Sequence, residues 1–271
     1  MKLAWRDVGI GLVVPASLVL VWHFVTYHGW VNPQALPSPE AVARKWVEYL
    51  LPLQPYDGQG SWLSWAFSGE LIQDAMGSMF RVLLGFAIGA GLALPLGLAM
   101  GASAHAYRLF NVLVQIIRPV PPIAYIPLSM LWFGLGNPPA IFLISLGAFF
   151  PVLINTIAGV RQVDGIYLRA ARNLGASGPT MFLRVILPAA VPSILAGVRI
   201  GIGTAFIVVI VSEMIAVNDG LGFRILEARE FMWSDKIIAG MITIGLLGLL
   251  IDTAVSRLNN HLLRWHRGLE H

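Results

Sequence analysis

Apolar runs of about twenty residues recur along this chain, and that recurrence limits the fold more than any other feature. Residues 8–27 carry no charge, and about twenty such residues in a helix cross a hydrocarbon layer. Comparable runs follow at about 80–100, 140–160, 189–217 and 237–254. A further one begins at 109, is broken by Pro119, Pro121 and Pro122, and re-forms a helix from about 123. A soluble domain of 271 residues cannot hide so much apolar surface: 57% of residues are hydrophobic and 12% are charged, with a mean hydropathy of +0.74. The expected fold is all-α and lipid-embedded, with about six transmembrane helices.

Trp5 and Trp30 flank the first run like interfacial anchors. The run is too long for a signal-peptide core and no small-residue cleavage site follows it, so it is expected to remain. His23 inside it reads as a satisfied polar contact. In the polar stretch 32–74, Ser38 is a helix cap with Pro39 in the first turn. Residues 41–51 then alternate apolar and charged faces at helical spacing. This is expected to be a surface-lying helix outside the membrane, with Trp46 and Tyr49 suited to an interface. Residues 54–60 read as a loop and 70–79 as a second amphipathic lead-in. Small residues then recur every four positions at Gly85, Gly89, Ala93, Gly97 and Gly101, and again at Gly197, Gly201 and Ala205. Such a ridge lets another helix approach closely; internal packing accounts for the first, a dimer seam being the alternative.

Each proline lacks an N–H, so Pro119, Pro121 and Pro122 cannot continue a regular helix. A break at membrane depth is tolerated where the freed carbonyls face protein or a water-filled cavity. These prolines therefore mark a candidate cavity or protein-lined break, and Arg118 stands beside them. A guanidinium there can attract an anion; snorkelling to the interface, or pairing with an acid, is the alternative. Glu213 is the acid well inside a span, whereas Asp252 lies near a cytoplasmic end. Such an acid is costly in lipid and usually faces a cavity or a partner, so Glu213 is expected to act as a gate or as a structural pair with Arg118 or Arg199.

Six spans place both termini on one side. That side carries Lys2, Arg6, Arg108, Arg161, Arg169, Arg172, Arg184, Arg257, Arg264 and Arg267, ten in all, against five on the other, Arg44, Lys45, Arg224, Arg229 and Lys236. The excess puts the termini and the loop at 161–188 in the cytoplasm. The pI of about 9.7 reflects this retention of basic loops, not a nucleic-acid surface. With no Cys there is no disulfide, thiolate metal site or Cys nucleophile. No G-x-x-x-x-G-K-[ST], H-E-x-x-H or G-x-S-x-G occurs. Neither a metal site nor a catalytic constellation is expected, and the chain is not expected to be an enzyme.

The loop 168–188, LRAARNLGASGPTMFLRVILP, is the longest polar interruption in the apolar C-terminal half. Asp164 can cap a short helix from Gly165, Gly175 can end it in a left-handed turn, Ser177 can cap a second, and Pro188 can stop that one. The stretch resembles the coupling loop of binding-protein-dependent ABC importer permeases. Their pattern is Glu-Ala-Ala, three residues, Gly, nine residues, Ile-x-Leu-Pro. Ala170, Ala171, Gly175, Leu187 and Pro188 fall at that spacing, while Arg169 replaces the Glu and Val185 the Ile. Over about 78–265 the chain looks most like the branch serving taurine, aliphatic sulfonates, nitrate and bicarbonate. The residues that carry this likeness are 118–122, the run Leu131-Trp132-Phe133-Gly134, Glu213, and Gly220-Leu221-Gly222. Taurine-type permeases resemble it most, because they too place Arg before the Ala pair.

The resemblance implies a type I importer permease core at 77–268, with an extra N-terminal span and a periplasmic amphipathic segment at 1–76. Residues 269–271 read as a tag remnant. It also implies a bacterial inner-membrane protein that pairs with a second copy of itself and with two ATP-binding subunits. ATP and Mg would sit on those subunits, and no cofactor on this chain. A periplasmic or lipid-anchored solute-binding protein docks outside and largely sets selectivity. Arg169, Ala170, Ala171, Arg172, Gly175, Leu187 and Pro188 would couple to the ATPase. The competing reading is an ion-coupled secondary transporter, which needs several intramembrane acids or histidines; the sequence offers few. An integral-membrane enzyme lacks candidate nucleophiles and bases.

Overall fold

The structure is a computed structural model that describes residues 5–52, 55–56 and 61–263, so Arg264, Arg267 and residues 269–271 lie outside the described residues, as does most of the loop at 54–60. Every regular element described is helical. Four helical stretches are long and apolar enough to span a bilayer: Glu70–Ala102 (α4), Asn137–Arg161 (α7), the continuous run Gly178–Ala216, and Ser234–Leu262 (α12). A fifth is the bent pair Ala104–Ile117 (α5) and Pro122–Phe133, which turns by 82° at the prolines. The sixth expected span falls on α1, Trp5–Tyr27, whose apolar part Val13–Tyr27 is shorter than the others, so the described residues hold four spans, or five with the bent pair, where about six were expected.

The described residues pack as two compact units. The first comprises Met1–Ala75 and Arg224–Gly245. Ser38 caps α2, Pro39–Leu50, by accepting the Ala41 N–H, and Pro39 occupies the first turn as the sequence requires. Its aromatic residues do not face outward as expected. Tyr49 is buried and donates to Asp74 Oδ2 at 2.9 Å, and Trp46 donates to Thr243 Oγ1 at 2.9 Å. Burial, and then the Asp74 charge, push the Tyr49 phenol well up, so it stays a donor. Arg224 binds Asp74 and Glu70, and Lys236 reaches Glu70. His23 stands 2.7 Å from Glu40.

The second unit comprises Met76–Phe223 and Leu246–His271. Its centre is α7, held between two glycine ridges. On α4, a Cβ at Gly85, Gly97 or Gly101 would fall 2.6–2.7 Å from Ile144, Thr156 or Val160 of α7, and one at Gly89 would fall 2.3 Å from the Ser145 carbonyl. On α10, Leu187–Ala216, a Cβ at Gly197 would meet Asn155 at 2.5 Å and one at Gly201 would meet Val152 at 2.9 Å. Both ridges thus serve packing inside the chain, where backbones approach closely and dispersion is gained without polar cost. Ala93, Met100, Val152 and Leu153 fill the space between.

Candidate functional site

The proline break opens a cleft. The α5 helix ends at Ile117, and the chain resumes as a 3-10 turn, Pro122–Tyr125, before α6, Ile126–Phe133. Beside the break lies a cavity of about 360 Å³ lined by Arg118, Pro121 and Pro122, by Gly147, Pro151 and Asn155 of α7, and by Thr204 of α10 among others. Arg118, Pro121 and Pro122 are therefore together at one cleft. Pro119 and Glu213 are not among its lining.

Glu213 sits elsewhere, at the far end of α10, and is fully enclosed. Its partner is neither Arg118 nor Arg199, as the sequence suggested, but Arg81 of α4: Arg81 Nη1 donates to Glu213 Oε1 at 2.7 Å. The other carboxylate oxygen accepts from Ser78 Oγ at 2.9 Å and from the Gly222 N–H at 3.0 Å. Arg81 Nη2 binds Asp219, and its Nε donates to Asn137 Oδ1 at 2.6 Å. The carboxylate thus sits at the start of Leu221–Glu230 (α11), where unpaired N–H groups favour an anion. Glycine is required beside it: Gly220 has φ +100°, and a Cβ there would lie 2.6 Å from Glu213. A buried pair without these extra bonds would cost more in desolvation than it returned. Arg199 instead holds Asp252 in a two-pronged contact, 2.8 Å at each nitrogen.

Arg81 escaped the sequence reading. It lies at the mouth of the apolar run 80–100, where a cation reads as an interfacial charge. The signal was present: an Arg inside a span and a buried acid in another each need a partner. Which pair forms depends on how the helices align, which no local pattern states.

The loop at 161–188 has the expected first half. Gly165–Asn173 (α8) is capped by Asp164, which accepts the Ile166 N–H at 2.8 Å, and Gly175 follows at φ +84°. The second half differs. Gly178–Met181 (α9) does not stop at Pro188; it continues through a π-turn, Phe182–Ile186, into α10. Leu187 N–H bonds Phe182 O, five residues back. This wider turn lets the chain pass a proline that has no N–H to give, and Pro188 falls in the first turn of α10, where none is needed. Ser177 occupies the cap position of α9 without a side-chain bond. Arg169, Ala170, Arg172 and Gly175 are exposed, and Ala171 is buried. Tyr167 and Leu174 project from the same short helix region, Leu174 at 88% exposure.

The profile of the family described as "Binding-protein-dependent transport system inner membrane component" matches residues 91–268. SsuC of Escherichia coli (strain K12), named for aliphatic sulfonates transport, is 40% identical over 253 residues, 93% of this chain and 90% of its own. The taurine transport system permease protein TauC of the same organism is 34% identical over 269 residues, 98% of this chain and 94% of its own. An inward-facing structure of the MetNI methionine ABC transporter aligns with a TM-score of 0.63 over 72% of this chain and 97% of that one, at 20% identity, which shows a shared fold. The chain belongs to the binding-protein-dependent transport family of inner membrane components, as a multi-pass permease subunit of an ABC importer and not itself an enzyme.

Proposed function

We propose that this permease carries a small anion, sulfonate-like such as taurine, into a bacterial cytoplasm by alternating access, driven by ATP and Mg bound on separate subunits. Two copies of the chain assemble with two ATPase subunits, and a periplasmic or lipid-anchored binding protein delivers the solute. Both termini are cytoplasmic. One observation carries the reading. The short helix α9 that closes the coupling loop is continuous, through the π-turn, with the helix whose middle lines the proline cleft and whose far end holds Glu213, and the exposed α8 packs against that turn. A groove on an ATPase that gripped α8 would move 178–216 as one rod and so act on both places. Arg169, Ala170, Ala171, Arg172, Gly175, Leu187 and Pro188 shape that handle. Arg118, Pro121 and Pro122 border the path, Pro119 stands in the break beside it, and Glu213 gates it. Glu213 is already bound by Arg81, which leaves it unsuited to carry a coupling ion as a secondary transporter would require.

The apolar projections of the handle supply the test. Replacing Tyr167 and Leu174 together by Ser removes exposed apolar surface worth roughly 25 cal/mol per Å² buried on docking. The expected result is a variant that inserts and purifies as the wild type but no longer retains a nucleotide-binding subunit on affinity capture. Wild-type capture by that variant, or solute uptake by vesicles holding this chain alone, overturns the proposal.

A further inference from the structure

We propose that the cleft at the proline break is a transit site for a small organic acid that also carries an N–H or O–H donor, in preference to a bare inorganic anion. The inference rests on the importer reading and deepens it. Arg118 is the cleft's only charged side chain, and it has no hydrogen-bond or ion-pair partner among the described residues. Its guanidinium offers a fork of N–H donors that suits a sulfonate or carboxylate head. The remaining polar side chains supply acceptors. Asn155 gives one amide N–H to Pro151 O at 2.8 Å, which leaves its Oδ1 as an acceptor beside its second N–H. Thr204 gives its hydroxyl proton to Ile200 O at 2.9 Å, which leaves oxygen lone pairs. Pro151 has no N–H to satisfy the Gly147 carbonyl one turn before it, and Gly147 lines the cleft.

The wall therefore holds one donor fork and several acceptors. A nitrate ion has acceptors alone and would meet the Asn155 and Thr204 oxygens unfavourably. An amino- or hydroxy-substituted sulfonate satisfies both ends, and its short carbon chain lies against Pro121, Pro122 and Phe150. At about 360 Å³ the cleft is near the lower end of ligand pockets, as a small solute requires.

The test uses the chain in nanodiscs with its ATPase and without a binding protein, so that selectivity elsewhere is removed. Radiolabelled taurine is titrated, with ethanesulfonate and nitrate as competitors, and ATP-driven uptake is measured in parallel in vesicles that hold the chain, its ATPase and a binding protein. Saturable taurine binding is expected, with ethanesulfonate weaker and nitrate weakest. Arg118→Gln is expected to weaken taurine by about tenfold or more, the scale of one charge-assisted bond, and Arg118→Lys by less. Thr204→Val and Asn155→Leu are expected to bring taurine down to the level of ethanesulfonate without moving ethanesulfonate itself; they carry the test if Arg118→Gln does not assemble. Absence of saturable binding, equal competition by nitrate, or unchanged taurine affinity in these variants overturns the transit site. If uptake persists in that case, the importer reading stands alone; if no ATPase accompanies the chain, that reading fails first.

Discussion

Arg81 and Glu213 show how much one buried contact can ask of a membrane protein. Both are almost wholly enclosed, at 2% and 0% side-chain exposure, and each would be left as an uncompensated charge by removal of the other. Breaking such a pair costs about 3–5 kcal/mol in soluble proteins. Arg81→Ala is therefore expected to lower the thermal unfolding temperature of the purified permease clearly. Glu213→Gln keeps the shape, and Asp219 still neutralises Arg81, so that variant is expected to assemble with its ATPase yet transport slowly. Unfolding curves and uptake by the reconstituted complex measure the two effects. Wild-type uptake with Glu213→Gln would remove the gating role. Glu213 was legible as an acid in need of a partner, but the partner was not. Arg81 and Glu213 lie 132 residues apart, and only the docking of α4 beside α10 brings them together.

At the scale of helices the sequence says more. The four-residue spacing of glycines already implied a close helix contact, and the structure supplies its identity: both ridges close on α7. The same face gives a paired prediction. A Cβ at Gly89 would intrude to 2.3 Å from the Ser145 carbonyl, whereas one at Gly91 on the same helix meets nothing within 4 Å. Gly89→Ala is expected to destabilise by about 1–3 kcal/mol through overpacking. Gly91→Ala is expected to be neutral or to stabilise by up to about 1 kcal/mol through helix propensity. Thermal unfolding in detergent compares them, and equal shifts would mean that α4 does not rest on α7 through this ridge. Pro188 was harder to read. A proline ends many helices, but in the first turn of a new one it is harmless. The π-turn that makes the two helices continuous has no sequence mark of its own.

At the scale of the whole chain the open quantity is the number of crossings. Charge counting gives one answer, with ten basic residues on one side against five on the other, but it assumes that the bent pair α5–α6 crosses once. An 82° turn also suits a loop that enters and leaves by the same face. The two arrangements differ in one observable. The membrane-length elements between His105 and Ser177 are the bent pair and α7, followed by the short α8. If the pair crosses, both residues face the cytoplasm; if it returns, they face opposite sides. The chain has no cysteine, so single replacements report cleanly. Ala35, His105 and Ser177 are all exposed. In intact cells with a permeable outer membrane, a membrane-impermeant maleimide is expected to label Ala35→Cys alone. Lysis is expected to expose both His105→Cys and Ser177→Cys. Labelling of Ser177→Cys before lysis would turn the coupling loop outward, away from any ATPase. Labelling of His105→Cys alone among those two would instead make the proline break the floor of a re-entrant loop, with Arg118 at its base.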